Sequence, residues 1–232
     1  MKHLLPFIAA LTFAAGTPAM SQQNPVVVEL YTSQGCASCP PADAILEELA
    51  GREDVIALAL HVDYWDYIGW KDPFGDPAHA KRQRIYAMTA GRRSIYTPEI
   101  IVQGETDIVG AKPMKLSEAI AVHAKRAAPV VLTLSRHAQT LRIDASAQVT
   151  LSGPVTVHML RYIPHQTTMI ERGENIGKTL DYSNIVEGWQ VLGEWDGAAP
   201  LSMNAQVTGD KPVVVILQVA GGGPILAAGR LR

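Results

Sequence analysis

The two cysteines of the chain, Cys36 and Cys39, are its only thiols and are separated by two residues. Pro40 and Pro41 follow, and proline suits the first turn of a helix because its missing N–H would have no partner there. At a helix N-terminus, free N–H groups and the helix dipole favour a thiolate, the species that attacks disulfides. The sequence therefore predicts a redox-active pair in which Cys36 attacks or receives the disulfide and Cys39 resolves it, with no cofactor.

Other roles for this pair stay open. As an inert bridge it would close so short a loop that chain entropy supplies only about 2 kcal/mol. Structural zinc needs four ligands, and the chain has no second cysteine pair. A copper(I) site built from two thiolates with a His or Met is a minor alternative, and no other metal site is predicted.

Strand and helix patterns alternate around the motif. The predicted elements are strands at 26–31, 55–62, 95–102 and 107–109 and helices at 42–50, 78–90 and 116–127. The order β-α-β-α-β-β-α is that of a minimal thioredoxin-like fold, with two parallel βα units, a hairpin and a final helix.

The pattern changes near residue 129. Short apolar or alternating runs between turn residues predict strands at 130–134, 140–143, 155–162, 213–220 and 225–229. The predicted fold class is thus an α/β thioredoxin-like core, residues 22–128, followed by a small all-β, sandwich-like module, residues 129–232.

The first residues have the composition of a secretory signal. Lys2 and His3 precede an apolar run at residues 4–15, and positions 19 and 21 carry small residues that suit signal peptidase. The run is shorter than the about 20 residues that a membrane-spanning helix needs. We predict a signal peptide over residues 1–21, a periplasmic or secreted mature protein, and no membrane span after cleavage.

Composition excludes some partners. The 232 residues are 47% hydrophobic and 18% charged, with a formal net charge of −2. Because Lys and Arg are not clustered, no nucleic-acid partner is predicted. The cysteine pair predicts a partner protein that carries a thiol or disulfide, and the oligomeric state is left unassigned.

Five segments are distinctive: residues 28–43 (VELYTSQGCASCPPAD), 61–73 (HVDYWDYIGWKDP), 96–98 (YTP), 172–175 (RGEN) and 192–195 (LGEW). With them the chain resembles the secreted bacterial proteins grouped as domain-of-unknown-function family 1223. The resemblance covers nearly all of the mature chain. It implies a thioredoxin-like fold and a periplasmic or secreted location, but no activity, because the family is named for lacking one.

The resemblance to thioredoxin-like proteins also concerns the Thr97–Pro98 bond. In those proteins a cis-proline at the start of this strand faces the cysteine pair, which implies a cis bond here; an ordinary strand-entry proline is the alternative. Ala37 and Ser38 stand where thioredoxin has Gly-Pro, so the redox poise is not carried over.

Four further residues are predicted to support the pair. Glu29, in the buried first strand, resembles the acid that thioredoxins place behind the second cysteine; such a carboxyl exchanges a proton with Cys39, and a solvated Glu is the alternative. His61, Asp63 and Trp65 follow the second strand at the edge where α/β sheets bind ligands. The alternative is a packed aromatic loop in which His61 and Asp63 serve as turn and cap residues.

The predicted function is an exported thiol–disulfide oxidoreductase acting on protein or small-thiol substrates, with Thr97 and Pro98 shaping the substrate groove. The alternative is a non-catalytic binding module in which the cysteines form a static disulfide or a copper(I) site. A polar group in the second half is interpreted as a solvated loop; its members are Arg172, Glu174, Asn175 and Lys178.

Overall fold

The computed structural model describes residues 24–232, so the predicted signal peptide lies outside the described residues. The helices in this range are α1 Pro40–Ala50, α2 Pro77–Thr89 and α3 Pro113–Ala124, with a short 3₁₀ helix at Asp66–Ile68. The strands are β1 Val26–Thr32, β2 Val55–His61, β3 Glu99–Val102, β4 Thr106–Val109, β5 Val130–His137, β6 Thr140–Ala147, β7 Val155–Met169, β8 Thr179–Trp195, β9 Leu201–Gln206, β10 Val213–Val219 and β11 Ile225–Leu231. Within residues 24–232, no helix is long and apolar enough to cross a membrane.

Strands β1 and β2 are buried along their whole length, as predicted. Adjacent residues of a strand point to opposite faces of the sheet. Leu30 packs with Leu46 of α1 on one face, whereas Tyr31 packs with Tyr86 of α2 on the other. Helices on both faces explain why these strands are apolar throughout.

One mixed sheet runs through both halves of the chain. Its eight strands follow the order β11-β10-β7-β8-β2-β1-β3-β4. β1 pairs in parallel with β2 and antiparallel with β3, and β3 pairs antiparallel with β4. Of the described residues, 43% are in strands and 19% in helices.

This sheet overturns the predicted fold class. The sequence predicted an α/β thioredoxin-like core followed by a small all-β module, and that prediction is wrong, because β7, β8, β10 and β11 extend the sheet of the first half. The physical reason lies at β2. An apolar strand with an open edge exposes unpaired backbone groups, and β8 covers this edge, with Ala59 in register with Ile185.

The remaining strands form a three-stranded antiparallel sheet of order β5-β6-β9. Leu141 and Ile143 of this sheet share a buried cluster with Val157 of β7 and Val215 of β10. The small sheet therefore packs on the part of the large sheet that is farthest in sequence from the cysteines.

The longest strand, β8, was not predicted. Its sequence does not alternate cleanly between apolar and polar residues. The strand is irregular, since Asn184 and Gly188 adopt positive φ angles of 52° and 60° and the pairing with β7 shifts register. The hairpin that β7 and β8 form carries its connecting segment, residues 170–178, to the carboxyl end of β1.

Candidate functional site

Cys36 and Cys39 form a disulfide at the junction between β1 and α1. Cys39 is the N-cap of α1, and its N–H donates to the Cys36 carbonyl at 3.2 Å. The motif therefore lies at a strand-to-helix junction, as the prolines predicted. Both cysteines are 0% exposed, although Ala37 and Ser38 between them are exposed.

Asn175, from the connecting segment 170–178, binds the backbone of the cysteine turn, and we name it the cover of this turn. Its Nδ2 donates to the carbonyls of Gln34 at 2.9 Å and Cys36 at 3.0 Å, and its Oδ1 accepts from Lys178 Nζ at 2.9 Å. The predicted solvated loop is therefore wrong for Asn175, which is 0% exposed, whereas Arg172, Glu174 and Lys178 are exposed. Residues about 140 positions apart in sequence meet at this point.

The Thr97–Pro98 bond is cis, which confirms the prediction. Thr97 Oγ1 accepts a hydrogen bond of 2.7 Å from Trp65 Nε1. Trp65 in turn lies against Gly35, where a Cβ would stand 3.2 Å from the Trp65 Cβ, so only glycine allows this approach without displacement. The loop after β2 is thus placed directly beside the cysteine turn.

Beneath the turn lies a buried polar group that we name the Asp43 cluster: Asp43, His61, Asp72 and Tyr182. Its members come from α1, from the end of β2, from the loop after β2 and from β8. His61 Nδ1 and Asp72 Oδ2 are 2.7 Å apart, and both side chains are 0% exposed. The Gln34 N–H also donates to Asp72 Oδ2, at 2.8 Å, which ties the cluster to the cysteine turn.

Several polar atoms of the Asp43 cluster have no hydrogen-bond partner within the described residues. They are both carboxyl oxygens of Asp43, His61 Nε2 and the Tyr182 hydroxyl, and the neighbouring Thr32 hydroxyl shares this state. Burial raises the pKa of Asp43 to about 7. The electrostatic effect of His61 and the Thr32 hydroxyl, which lies near the carboxyl without the geometry of a hydrogen bond, oppose the rise. Unpartnered buried groups of this kind are uncommon and often mark chemical sites.

Asp43 lies one helical turn after Cys39, and its N–H donates to the Cys39 carbonyl at 3.1 Å. Residues four apart share one face of a helix, so the Asp43 side chain follows Cys39 into the buried face of α1. Sequence reasoning assigned no role to Asp43. The available signal was an acidic residue within the first turn, at a position where the helix is otherwise apolar.

Glu29 does not occupy the place that the sequence predicted for it. It is fully buried, but it faces the α2 side of β1, where Arg82 binds it at 2.7 and 3.1 Å and the Tyr86 hydroxyl donates to it at 2.6 Å. Gln218 Nε2 donates to the same hydroxyl at 2.9 Å. We name Glu29, Arg82, Tyr86 and Gln218 the Glu29 cluster.

The remaining predicted site residues lie in the loop after β2. His61 is buried in the Asp43 cluster, whereas Asp63 is half-buried and its carbonyl accepts from the Asp66 N–H at 3.1 Å. Trp65 stacks on Tyr67, which is 80% exposed. Across residues 24–232, no group of three or more His, Cys, Asp or Glu side chains is arranged to hold a metal ion.

The fold and the site define a mixed α/β protein with a buried, covered disulfide where its first strand passes into its first helix. The chain belongs to the family described as protein of unknown function (DUF1223), whose sequence model matches residues 27–218. The resemblance of the sequence to this family is thereby confirmed.

Two solved structures are similar to this chain. An X-ray crystal structure of a protein from Agrobacterium tumefaciens shares 30% identity and a TM-score of 0.77, over 91% of this chain and 96% of that chain. HBP35 of Porphyromonas gingivalis shares 16% identity and a TM-score of 0.62, over 90% of this chain and 75% of that chain, a likeness of fold alone. No curated protein matches the chain.

Proposed function

We propose that the protein is an exported thiol–disulfide oxidoreductase that acts through Cys36 and Cys39 on protein or small-thiol substrates. One observation carries the proposal: an unpartnered, buried carboxyl, Asp43, lies one turn from Cys39 on the same face of α1. With a pKa of about 7 this carboxyl holds a proton in a good share of molecules at neutral pH. A group of this kind can protonate a leaving thiolate and accept the proton back.

In the direction that reduces the Cys36–Cys39 disulfide and oxidises the substrate, a substrate thiolate attacks the Cys36 sulfur. The Cys36–Cys39 bond breaks, a mixed disulfide forms, and Cys39 leaves as a thiolate that takes the Asp43 proton. A second substrate thiolate then attacks the substrate sulfur of the mixed disulfide. The bond between Cys36 and the substrate breaks, Cys36 leaves as a thiolate, the two substrate thiols leave joined as a disulfide, and their two electrons have passed to the cysteine pair.

This chemistry requires that the cysteine turn first become accessible to a substrate thiolate. With both cysteines 0% exposed, no thiolate reaches Cys36 until Asn175 releases the carbonyls of Gln34 and Cys36. Two buried hydrogen bonds are a small barrier, about 1 kcal/mol each. We therefore propose a site that opens locally at the 170–178 segment.

Trapping of a mixed disulfide tests the function. The Cys39→Ser variant lacks the resolving thiol, so when its Cys36 thiolate attacks a disulfide substrate, one substrate thiol leaves and the other should accumulate in a mixed disulfide with Cys36, detected by mass after acid quenching. Cys36→Ser is the matched control and should trap none. The oxidoreductase function would be refuted if the wild-type protein did not reduce insulin and the Cys39→Ser variant gave no trapped species.

A second function, a binding module with a static disulfide, is favoured by the complete burial of both cysteines. The reduction potential separates the two functions. A static bridge has a potential well below the poise of its compartment and stays oxidised at every accessible thiol ratio. A couple that titrates within the compartment's range supports the oxidoreductase instead.

A further inference from the structure

The side-chain amide of Asn175 binds the cysteine turn in the way that a peptide group would. Its Nδ2 donates to two backbone carbonyls, those of Gln34 at 2.9 Å and of Cys36 at 3.0 Å. A carboxamide offers the same kinds of donor and acceptor as a peptide bond. These contacts show that the cysteine turn accepts hydrogen bonds from an amide nitrogen.

Lys178 fixes the orientation of the Asn175 amide. The Lys178 ammonium can only donate, so the Asn175 atom that it contacts at 2.9 Å is the amide oxygen, Oδ1. The amide nitrogen then faces the two carbonyls, which can only accept. The chemistry of the partners therefore assigns both ends of this amide.

The two carbonyls differ in what they lose when the cover leaves. The Cys36 carbonyl also accepts from the Cys39 N–H, at 3.2 Å, and this bond does not involve Asn175. Within residues 24–232, the Gln34 carbonyl accepts from Asn175 and from no other donor. Opening of the site therefore leaves one carbonyl, that of Gln34, without a donor.

The rest of Gln34 is held independently of the cover. Its N–H donates to Asp72 Oδ2 at 2.8 Å, and its side-chain Oε1 accepts from Trp70 Nε1 at 2.8 Å. Neither bond involves Asn175, so the position of the Gln34 carbonyl does not depend on the cover. An acceptor that is fixed in advance binds a donor with little cost of ordering.

This carbonyl lies beside the reacting sulfur, because Gln34 is two residues before Cys36. A substrate that reaches Cys36 displaces water from the turn, and a buried carbonyl that then lacks a donor destabilises the complex. Dithiothreitol has no N–H to offer. A cysteine residue in a peptide chain carries backbone N–H groups close to its own sulfur.

We propose that Asn175 occupies the place of a substrate amide, and that the site takes cysteine residues of peptide chains, whose backbone N–H replaces Asn175 on the Gln34 carbonyl. The inference rests on the proposed oxidoreductase function and narrows its substrates to thiols that carry an amide. The bond to Gln34 holds the substrate while its thiolate attacks Cys36, the new disulfide forms, the Cys36–Cys39 bond breaks and Cys39 leaves as a thiolate.

Reduction of the disulfide by two matched peptides tests the proposal. Both are Ala-Cys-Ala tripeptides with acetyl and dimethylamide ends; one has free backbone N–H groups, and the other is N-methylated on all three residues. Each rate constant is divided by that for the same peptide with cystamine, which corrects for thiol reactivity. The N-methylated peptide should reduce the full-length protein about fivefold more slowly, the factor that one neutral hydrogen bond contributes.

Two variants locate the hydrogen bond. Asn175→Ala should be reduced faster by both peptides, because the cover is gone, but it should keep the fivefold ratio between them, because the Gln34 carbonyl is still present. Ile176→Ala, at the exposed neighbouring position, should match the wild type in both rates and in their ratio. Glutathione and the reduced B chain of insulin, compared at equal thiolate concentration, distinguish a small peptide from a protein chain as the source of the cysteine.

A second measurement does not depend on rates of reduction. The unmethylated peptide is joined to Cys36 of the Cys39→Ser variant in a mixed disulfide. One of its backbone N–H groups should then exchange with deuterium at least tenfold more slowly than in the free peptide, as measured by nuclear magnetic resonance. This measurement carries the test if Asn175→Ala does not fold.

The outcomes separate the substrate assignment from the oxidoreductase function. Equal corrected rates for the two peptides, or no protected N–H in the mixed disulfide, would overturn the assignment and leave the oxidoreductase standing. A ratio that disappears in Asn175→Ala would also overturn it, since the substrate N–H would then pair with Asn175 itself. If neither peptide nor dithiothreitol reduces the wild-type disulfide, the oxidoreductase function fails.

Discussion

Two clusters of buried acids lie near β1, and they differ in how their charge is matched. In the Glu29 cluster, both carboxylate oxygens accept hydrogen bonds, from Arg82 and from the Tyr86 hydroxyl. In the Asp43 cluster, both oxygens of Asp43 have no partner within the described residues. Arg82 also stacks over the ring of Trp189 at 4.2 Å, which fixes the matched cluster further.

The difference indicates that the two clusters have different roles. A matched buried network has nothing to exchange and serves to join parts of the fold; the Glu29 cluster links β1, α2 and β10. An unmatched carboxyl costs stability, and its persistence beside a disulfide is what a chemical role requires.

The largest effect is expected from breaking the matched cluster. Glu29→Gln keeps the shape of the side chain but leaves the Arg82 charge without its counter-ion, which should lower the free energy of unfolding by up to about 5 kcal/mol. Urea denaturation followed by circular dichroism measures it. Glu187→Gln, which breaks the exposed pair with Lys211, is the control and should cost less than about 1 kcal/mol. Equal losses in both variants would contradict a matched, structural role for Glu29.

The Asp43 cluster should respond in the opposite direction. The unfolded carboxyl ionises near pH 4, whereas the folded one holds its proton up to about pH 7. This group therefore makes the wild type less stable as pH rises from 4 to 7, by at most about 4 kcal/mol, and adds no further change above. Asp43→Asn should lack this fall, so it should be more stable than the wild type at pH 8 and similar at pH 4.

Unfolding free energies of the oxidised proteins at pH 4, 6 and 8 measure this difference. Asp54→Asn is a suitable control, because Arg52 lowers the pKa of the exposed Asp54 instead of raising it. A constant difference between wild type and Asp43→Asn across this range would show that Asp43 is not protonated in the folded state.

The contrast between the two acids also shows what the sequence can and cannot predict. Cys36 and Cys39 were found because their signals are local, a short spacing followed by two prolines, whereas the cis bond before Pro98 was predicted from the resemblance to thioredoxin-like proteins. The predicted place of Glu29, behind Cys39, is wrong because side chains alternate between the two faces of β1. Leu30, its neighbour, packs with α1, so Glu29 points away from that helix.

The Asp43 cluster and its cover could not be found in this way. Asp43 lies near Tyr182, and Asn175 binds the Cys36 carbonyl, only because β8 adds to the edge of β2, a pairing between strands more than 100 residues apart. No pattern of hydrophobic spacing specifies which edge a strand joins. The same missing information made the fold class wrong, since β8 itself was not predicted.

Removing the cover should have a smaller effect than altering either cluster. Asn175→Ala removes two hydrogen bonds to the cysteine turn, so the disulfide should be reduced by dithiothreitol about tenfold faster, which corresponds to about 1.4 kcal/mol. Ile176→Ala, at the exposed neighbouring position, should leave the rate unchanged. Thiol appearance in stopped-flow mixing measures both rates. An unchanged rate in Asn175→Ala would mean that access to Cys36 is limited elsewhere.

The smallest effect is expected at the outer wall of the site, where Trp65 Nε1 donates to Thr97 Oγ1. Trp65→Phe and Thr97→Val each remove this bond, and a double-mutant cycle on the free energy of unfolding should give a coupling of about 1 kcal/mol. Thr97→Ser keeps the hydroxyl and should keep the coupling with Trp65. The coupling should be smaller than that between Glu29 and Arg82, because a neutral hydrogen bond near the surface carries no buried charge. A Trp65–Thr97 coupling equal to the Glu29–Arg82 coupling would show that matched charge is not what distinguishes the structural cluster from the walls of the disulfide site.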